Sequence, residues 1–108
     1  MAITVNLYYC GEKDNARKFA EEMTALGLVN QIRAEKGNLK YEYFIPMDDE
    51  NTILLIDSWK DQQALDAHHS SPMMQKISEL RLKYKLTVRA ERYVSDSDGF
   101  TDNDKKFI

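Results

Sequence analysis

The sequence has few of the residues that mark specialised classes of protein. Its single cysteine, Cys10, cannot form an intrachain disulfide, so we expect a reducing, cytoplasmic setting. Only four glycines and two prolines occur among 108 residues, and no G-x-G-x-x-G phosphate loop is present, which argues against a dinucleotide-binding fold. No apolar run approaches the ~20 residues that span a bilayer, so we expect no membrane partner.

The charges also exclude one class of partner. The chain has 15 basic and 18 acidic residues, a net charge of −3, and no concentrated basic face of the kind that binds a nucleic acid backbone. Residues 95–108 hold four Asp and two Lys and show little periodicity. We therefore predict one domain over residues 1–94 and an acidic C-terminal tail over 95–108. The tail is expected to fray, unless Phe100, Phe107 and Ile108 anchor it to the body or to a second subunit.

The body alternates between strand and helix patterns. Period-two alternation predicts four strands, over residues 3–9, 39–45, 52–59 and 86–94. Helical spacing predicts a long helix after Asn15 with a break near Gly27. Asp61 is predicted to cap a short helix, and Ser71 is predicted as the N-cap of the next helix, with Pro72 at its first position. The order β-α-β-β-α-β predicts an α+β, ferredoxin-like fold, with a four-stranded antiparallel sheet and helices on one face.

The third strand is apolar on both faces. Ile53 and Leu55 lie on one face, and Leu54 and Ile56 lie on the other. A sheet that faces water shows apolar and polar residues in alternation, and exposed apolar surface usually marks an interface. We therefore predict a homodimer in which sheet packs on sheet.

The two histidines, His68 and His69, are the first candidates for chemistry. Neighbours on a helix point about 100° apart, so they do not share a ligand cage easily, and no third His or Cys ligand accompanies them; we predict no metal site. His68 follows Leu65 by three residues and faces inward. It is either a helix-end residue bonded to the backbone or an acid/base in a pocket.

Three further polar or aromatic residues have two interpretations each. Trp59 is either a core aromatic or a flat wall for a planar substrate. Asn6 either bonds across the sheet or reaches into a pocket. Asp57 shares a strand face with Trp59 and needs a partner, which could be an arginine: Arg33, Arg89 or Arg92.

Two segments carry a family resemblance. Residues 33–41 (RAEKGNLKY) and 55–72 (LIDSWKDQQALDAHHSSP) resemble the antibiotic biosynthesis monooxygenase domain family, which includes small quinol monooxygenases. Its pattern is an acidic-Pro-Gly-x-x-x-Tyr turn, then Glu-x-Trp, then Ala-Leu-x-x-His-x-x-Ser-Pro-His. The resemblance spans residues 3–94. Lys36 replaces the proline, Asp57 replaces the glutamate, and Met73 replaces the second histidine.

The resemblance implies a dimeric α+β barrel and a monooxygenase that uses oxygen without metal, flavin or other cofactor. It implies a small aromatic or quinol-type substrate in a pocket between helices and sheet. By the same resemblance, His68 would be the base or hydrogen-bond donor, Trp59 would line the pocket and Asn6 would hold an oxyanion. The predicted substrate-binding residues are Asp57, Tyr41 and Glu42, although Tyr41 is most simply a packing residue.

Two alternatives stay open, and a third is disfavoured. A proton-shuttling isomerase of a small phosphorylated sugar resembles the chain at the 35–39 turn and at His68, but Met73 replaces its second histidine. A non-catalytic dimer that binds a small molecule is the other alternative, because fold does not establish chemistry. Haem-degrading relatives share Asn6, but they have tryptophan where His68 stands and a haem-ligating histidine about where Ser78 stands, so haem degradation is not expected.

Overall fold

A computed structural model describes all residues from 1 to 108, and the predicted element order is confirmed. The strands are β1 (Ile3–Cys10), β2 (Asn38–Phe44), β3 (Thr52–Trp59) and β4 (Thr87–Val94). The helices are α1 (Asn15–Ala25), α2 (Leu28–Arg33), α3 (Gln62–His69), α4 (Met73–Lys83) and α5 (Asp102–Lys105). None of these helices is both long and apolar enough to cross a membrane.

The sheet order is β2-β3-β1-β4, and every neighbouring pair is antiparallel. Leu7 pairs with Leu55, and Tyr41 pairs with Asp57, so the odd-numbered residues of β1 and β3 share one face with Tyr41 and Tyr43 of β2. The helices cover this side, which we call the helix face. The other side, the open face, carries the even-numbered residues of β1 and β3, the even-numbered residues of β2 from Lys40 onward, and the odd-numbered residues of β4.

The core lies between the helix face and the helices. Its most completely buried large side chains are Trp59, Phe19, Met23, Ile32 and Leu55. The predicted break in the first helix is confirmed: Gly27 separates α1 from α2 with φ of 78°, a left-handed conformation that glycine adopts without a steric penalty. The changed direction lets both helices contribute apolar side chains to one core.

The two later helices begin differently. Asp61 caps α3 as predicted, because its Oδ1 accepts a hydrogen bond from the Ala64 backbone N–H at 2.8 Å. The predicted Ser71 cap of α4 is wrong. Pro72 takes the N-cap position, with φ of −61° that already suits a helix, and the Ser71 hydroxyl is buried without a hydrogen-bond partner.

The tail contains one helical turn that its composition did not predict. Thr101 and Asp104 form a reciprocal capping box at the start of α5, which satisfies two backbone donors locally. The helix buries no residue, and Phe100, Phe107 and Ile108 are largely exposed. The division into a domain over residues 1–94 and a tail over 95–108 stays a prediction.

Candidate active site

A buried imidazole is paired with a carboxylate beneath α3. His68 is 3% exposed, so its predicted inward orientation is confirmed. Its Nδ1 lies 3.0 Å from Glu35 Oε2 and 3.2 Å from Oε1. A carboxylate at this distance accepts the Nδ1 proton and favours the tautomer in which Nε2 is unprotonated. Nε2 makes no hydrogen bond within the chain.

Gly37 brings Glu35 to this position. It has φ of 85°, and a β-carbon built on it would lie 2.6 Å from the Cβ of Ala64. Only glycine therefore allows the turn between α2 and β2 to lie against α3. The Gly37 carbonyl also accepts a hydrogen bond from the Lys60 backbone N–H at 2.8 Å. The turn is thus held between α3 and the end of β3, with Glu35 beside His68.

Trp59 connects the imidazole to a second carboxylate. Its ring stacks on that of His68, with centroids 4.7 Å apart and an interplanar angle of 26°. Its Nε1–H donates a hydrogen bond to Asp57 Oδ1 at 2.5 Å. Asp57, Trp59 and His68 are all less than 5% exposed. We call Glu35, Asp57, Trp59 and His68 the His68 centre.

Burial sets the protonation of Asp57. Removal from water raises the pKa of its carboxyl from 3.8 to about 6, because it disfavours the charged form. The Trp59 hydrogen bond and the His68 charge act in the opposite direction, and the Glu35 charge raises the pKa further. This pKa lies well above the usual range for an aspartate.

Tyrosine side chains fill the space beside the His68 centre. The Tyr41 ring packs edge-on against His68 at 6.4 Å, and the Tyr43 ring packs edge-on against Tyr41 at 5.8 Å. Burial raises the pKa of Tyr9 to about 12 and that of Tyr41 and Tyr43 well above the ordinary value, and the Asp57 charge adds to each shift. All three hydroxyls are therefore neutral donors at physiological pH.

The structure does not bring all the predicted site residues together. His68, Trp59, Asp57 and Tyr41 lie on or against the helix face. Asn6 and Glu42 lie on the open face, where both pair with Ile56 of the central strand. The sheet separates Asn6 and Glu42 from His68, because alternate residues of a strand point to opposite faces.

The predicted arginine partner of Asp57 is wrong. Arg33 donates to the Tyr41 carbonyl, Arg89 pairs with Glu91, and Arg92 donates to Gln62. The partner is Trp59, two residues along the same strand face. Glu35 is the site residue that sequence reasoning missed. Its signal was present in the acidic-x-Gly turn at 35–37, since a conformationally demanding turn often positions a functional side chain.

The cavities of the structure lie away from the imidazole. The largest measures about 430 Å³ and lies between α1 and the adjoining ends of β2 and β3. A cavity of about 190 Å³ lies beside the first turn of α3, and one of about 380 Å³ lies along β2. None of the five cavities is lined by His68, Trp59 or Asp57, so aromatic side chains close the His68 centre.

A four-stranded antiparallel ferredoxin-like sheet, with a carboxylate-paired imidazole on its helix side, defines a class of small α+β domains. Residues 1–80 match the family model described as "Antibiotic biosynthesis monooxygenase". The chain belongs to this family, which confirms the resemblance seen in the sequence.

Individual relatives agree with this membership. The chain is 32% identical to "Putative monooxygenase YcnE" of Bacillus subtilis (strain 168) over 73 residues. This aligned segment covers 68% of this chain and 75% of that protein. SnoaB, a cofactor-independent oxygenase from Streptomyces nogalater, superposes with a TM-score of 0.72 at 14% identity, over 89% of this chain and 94% of SnoaB. A conserved protein from Methanosarcina mazei Go1 superposes with a TM-score of 0.77 at 18% identity, over 89% of this chain and 94% of that protein. Family and relatives support a general monooxygenase-type function, and the two structures support the fold.

Proposed function

We propose that this protein is a cofactor-independent monooxygenase that oxidises a small aromatic, quinol-type substrate with molecular oxygen. The observation that carries the proposal is the buried His68, whose Nδ1 is held by Glu35 and whose Nε2 is free. Such an imidazole is oriented as a general base, and an adjacent carboxylate stabilises the imidazolium that forms. The remainder of the reaction needs only oxygen and the substrate's own electrons.

The first step is removal of a proton from a substrate hydroxyl. When the aromatic side chains that close the centre admit the substrate, His68 Nε2 accepts the proton and Glu35 balances the new positive charge across Nδ1. The resulting phenolate is electron-rich at its ring carbons and can donate an electron to oxygen. General base catalysis of this kind contributes about 10²–10⁴-fold to a rate.

The oxygen step balances without an external reductant. The radical pair combines to a hydroperoxide at a ring carbon, and loss of water leaves a carbonyl. Overall, a hydroquinone and one O₂ give a hydroxyquinone and one H₂O. One oxygen atom enters the product, the other becomes water, and the quinol supplies all four electrons. The water leaves with the proton that His68 returns.

The remaining residues of the His68 centre hold the imidazole in the orientation that proton transfer requires. Trp59 fixes the plane of the imidazole by stacking, and its bond to Asp57 fixes the indole. The Tyr41 ring packs against the imidazole edge-on, and burial keeps its hydroxyl neutral by raising its pKa. The predicted oxyanion role of Asn6 and the predicted substrate contact of Glu42 have no support in their placement on the open face.

The experiment is oxygen uptake with a panel of benzo- and naphthohydroquinones, analysed by mass spectrometry under ¹⁸O₂. A monooxygenase incorporates one ¹⁸O per product and releases no hydrogen peroxide. We expect His68→Gln to abolish the catalysed uptake. The neighbouring exposed His69→Gln is the matched control and should retain it. Uptake that persists in His68→Gln would remove the proposed base.

A second function is favoured by one specific observation. Asp57 and His68 flank the same indole, and the pKa of Asp57 is about 6. A carboxyl group and an imidazole held beside one indole can move a proton between neighbouring carbons, as an isomerase of a small phosphorylated sugar requires. Incorporation of solvent deuterium into a keto sugar phosphate without oxygen uptake would favour this isomerase over the monooxygenase. Ligand binding without either reaction would favour a non-catalytic binding module.

We further propose that the protein acts as a cytoplasmic homodimer joined through the open face. Leu54 and Ile56 of β3 and Phe44 of β2 form an apolar strip there, and the helices cover only the other side. Asn6 Oδ1 on the same face is buried and has no hydrogen-bond partner. A buried acceptor without a partner is costly, and a donor from a second copy would satisfy it.

A further inference from the structure

A cavity beside the first turn of α3 is small and mostly polar. Its volume is about 190 Å³, less than the ~300–1,000 Å³ of pockets that enclose a whole drug-sized ligand, so it suits one compact chemical group. The residues around it belong to the turn before β2, to the chain after β3 and to the start of α3: Lys36, Lys60, Asp61, Gln63, Ala64 and Ala67. The two alanines leave the space between the polar residues open.

The two lysines of this cavity have no counter-ion. Lys36 and Lys60 form no ion pair and no side-chain hydrogen bond within the chain. Asp61 is the one carboxylate that lines the cavity, and its Oδ1 already accepts a hydrogen bond from the Ala64 backbone N–H at 2.8 Å. The lining therefore has a net positive charge and two unpaired ammonium groups, which an anion would satisfy.

The fold brings these lysines together through one contact. The Lys60 backbone N–H donates a hydrogen bond to the Gly37 carbonyl at 2.8 Å, and Lys36 directly precedes Gly37. The Lys60 side chain also lies on the turn, because its Cγ and Cδ are 3.2 and 3.5 Å from the position of a β-carbon built on Gly37. A lysine stem that is already packed loses less conformational freedom on binding. Both lysines are thus placed at the cavity before a ligand arrives.

Backbone donors at the start of α3 supplement the two ammonium groups. The N–H groups of Gln62 and Gln63 make no hydrogen bond within the chain, as is usual at the first positions of a helix. Gln63 lines the same cavity as the lysines. Unpaired N–H groups at a helix start favour an anion over a neutral ligand.

We propose that this cavity binds a phosphate group, with Lys36 and Lys60 as its cationic partners. A phosphate group carries about −1.5 to −2 charges at pH 7, so it matches two ammonium groups better than a carboxylate with one charge does. The ligand is inorganic phosphate or the phosphate group of an organic monoester. Lys36 stands where the family's turn has proline, so the site is particular to this chain. The inference goes beyond the proposed function and uses no residue of the His68 centre.

The first test is a titration with inorganic phosphate at pH 7 and constant ionic strength, followed by nitrogen-15 NMR. We expect saturable binding in which the amide signals of Gln62 and Gln63 shift. The double variant Lys36→Gln/Lys60→Gln should raise Kd about tenfold or more, because two charge-assisted hydrogen bonds are lost.

A matched control separates this site from the overall charge of the protein. Lys105→Gln/Lys106→Gln removes the same two charges from the tail and should bind phosphate like the wild type. Equal Kd values for Lys36→Gln/Lys60→Gln and the wild type would overturn the proposal. Failure of the wild type to show saturable binding would overturn it as well.

Lys36→Pro separates a ligand contact from a structural role. The Asn38 N–H donates to the Glu35 carbonyl at 3.1 Å, and of the two residues between them only Gly37 has a positive φ, which defines a type II turn. Proline is common at the second position of such a turn, so the variant should be at least as stable as the wild type. Its Kd for phosphate should nevertheless rise about fivefold or more. A stable Lys36→Pro that binds phosphate like the wild type would overturn the assignment of Lys36.

The same titration with methyl phosphate and with acetate identifies the source of the phosphate. Tighter binding of methyl phosphate than of inorganic phosphate would support the site and identify an organic monoester as its ligand. Equal binding of the two would support the site and identify the free ion. Acetate that binds as tightly as either of them would overturn the phosphate assignment, because the site would then not distinguish one charge from two.

The outcomes are also distinct from those of the proposed function, because the titrations need neither oxygen nor quinol. If the wild type binds phosphate and consumes no oxygen with any quinol, the phosphate site stands and the monooxygenase fails. If the wild type oxidises a quinol and shows no saturable phosphate binding, the monooxygenase stands and the phosphate site fails.

Discussion

Gly37 and Ala64 are in such close approach that a single methyl group cannot be placed between them. A β-carbon on Gly37 would lie 2.6 Å from the Ala64 Cβ, and its φ is 85°. We expect Gly37→Ala to displace the turn that carries Glu35 and to lose activity. Left-handed strain alone costs about 1–2 kcal/mol, and the clash adds to this.

Gly27→Ala is the matched control for this prediction. Gly27 has φ of 78°, but nothing lies within 4 Å of the position that a β-carbon would take there. It should lose stability through backbone strain and keep its activity. Urea denaturation and oxygen uptake on both variants make the comparison. Equal activity loss in Gly27→Ala would show that strain, rather than the Glu35 position, is responsible.

Glu35→Gln should reduce kcat about 10- to 100-fold, a part of what a general base supplies. The amide keeps the shape of the side chain but cannot stabilise an imidazolium. Nitrogen-15 NMR should also show a weaker preference for the Nδ1–H tautomer of His68, because a neutral amide oxygen accepts this proton less strongly than a carboxylate. Glu42→Gln, on the open face, should change neither quantity. An unchanged tautomer and an unchanged kcat in Glu35→Gln would contradict the pairing.

Asp57 should make stability depend on pH in a defined window. Its pKa is raised from 3.8 to about 6, so between these values the folded protein retains a proton that the unfolded chain releases. The free energy of unfolding therefore falls as pH rises from about 4 to 6, and at pH 7 the buried charge costs about 3 kcal/mol.

Asp57→Asn should remove this cost, because an amide can still accept the Trp59 hydrogen bond. The variant should exceed the wild type in stability above pH 6 and approach it near pH 4. Asp48→Asn, at an exposed position, should follow the wild type. The free energy of unfolding is measured by urea titration of all three proteins from pH 4 to 8. Because each protein contains the Glu35–His68 pair, the difference between the Asp57→Asn and wild-type curves reports on Asp57. Parallel curves for Asp57→Asn and the wild type would refute the effect.

Ile56→Lys should convert the proposed dimer into monomers. Ile56 lies at the middle of the open face, and removing an ammonium from water there is unfavourable even beside Glu42, because desolvation can exceed the gain of a buried ion pair. Light scattering after size exclusion measures the mass directly. Leu82→Lys, on an exposed position of α4, controls for the added charge and should remain dimeric. A wild type that is already monomeric at micromolar concentration would end the dimer proposal.

The strand faces were predictable because their signal is local. Alternation alone places Leu55, Asp57 and Trp59 on one side of β3, and the structure confirms this. The inward orientation of His68 followed equally from its spacing to Leu65. These inferences use periods of two and about 3.6 residues, which do not depend on what the rest of the chain does.

The partners of these residues were less predictable because they depend on tertiary approach. Glu35 meets His68 across 33 residues only because Gly37 lets one turn lie on α3. Asp57 was expected to need an arginine, but the indole of Trp59 supplies a donor within the same strand. Asn6 was expected near the imidazole from a family resemblance, yet the register of β1 turns it to the other side.

The alternation of inward and outward residues along β3 limits which mutations this domain can tolerate. Leu54 and Ile56 face outward, while Leu55, Asp57 and Trp59 face inward, so neighbouring codons would serve the proposed association and the proposed chemistry in turn. Point substitutions can modify either property alone. An insertion or deletion of one residue in β3 would exchange the two sets, sending the indole and carboxylate into solvent and abolishing both properties together.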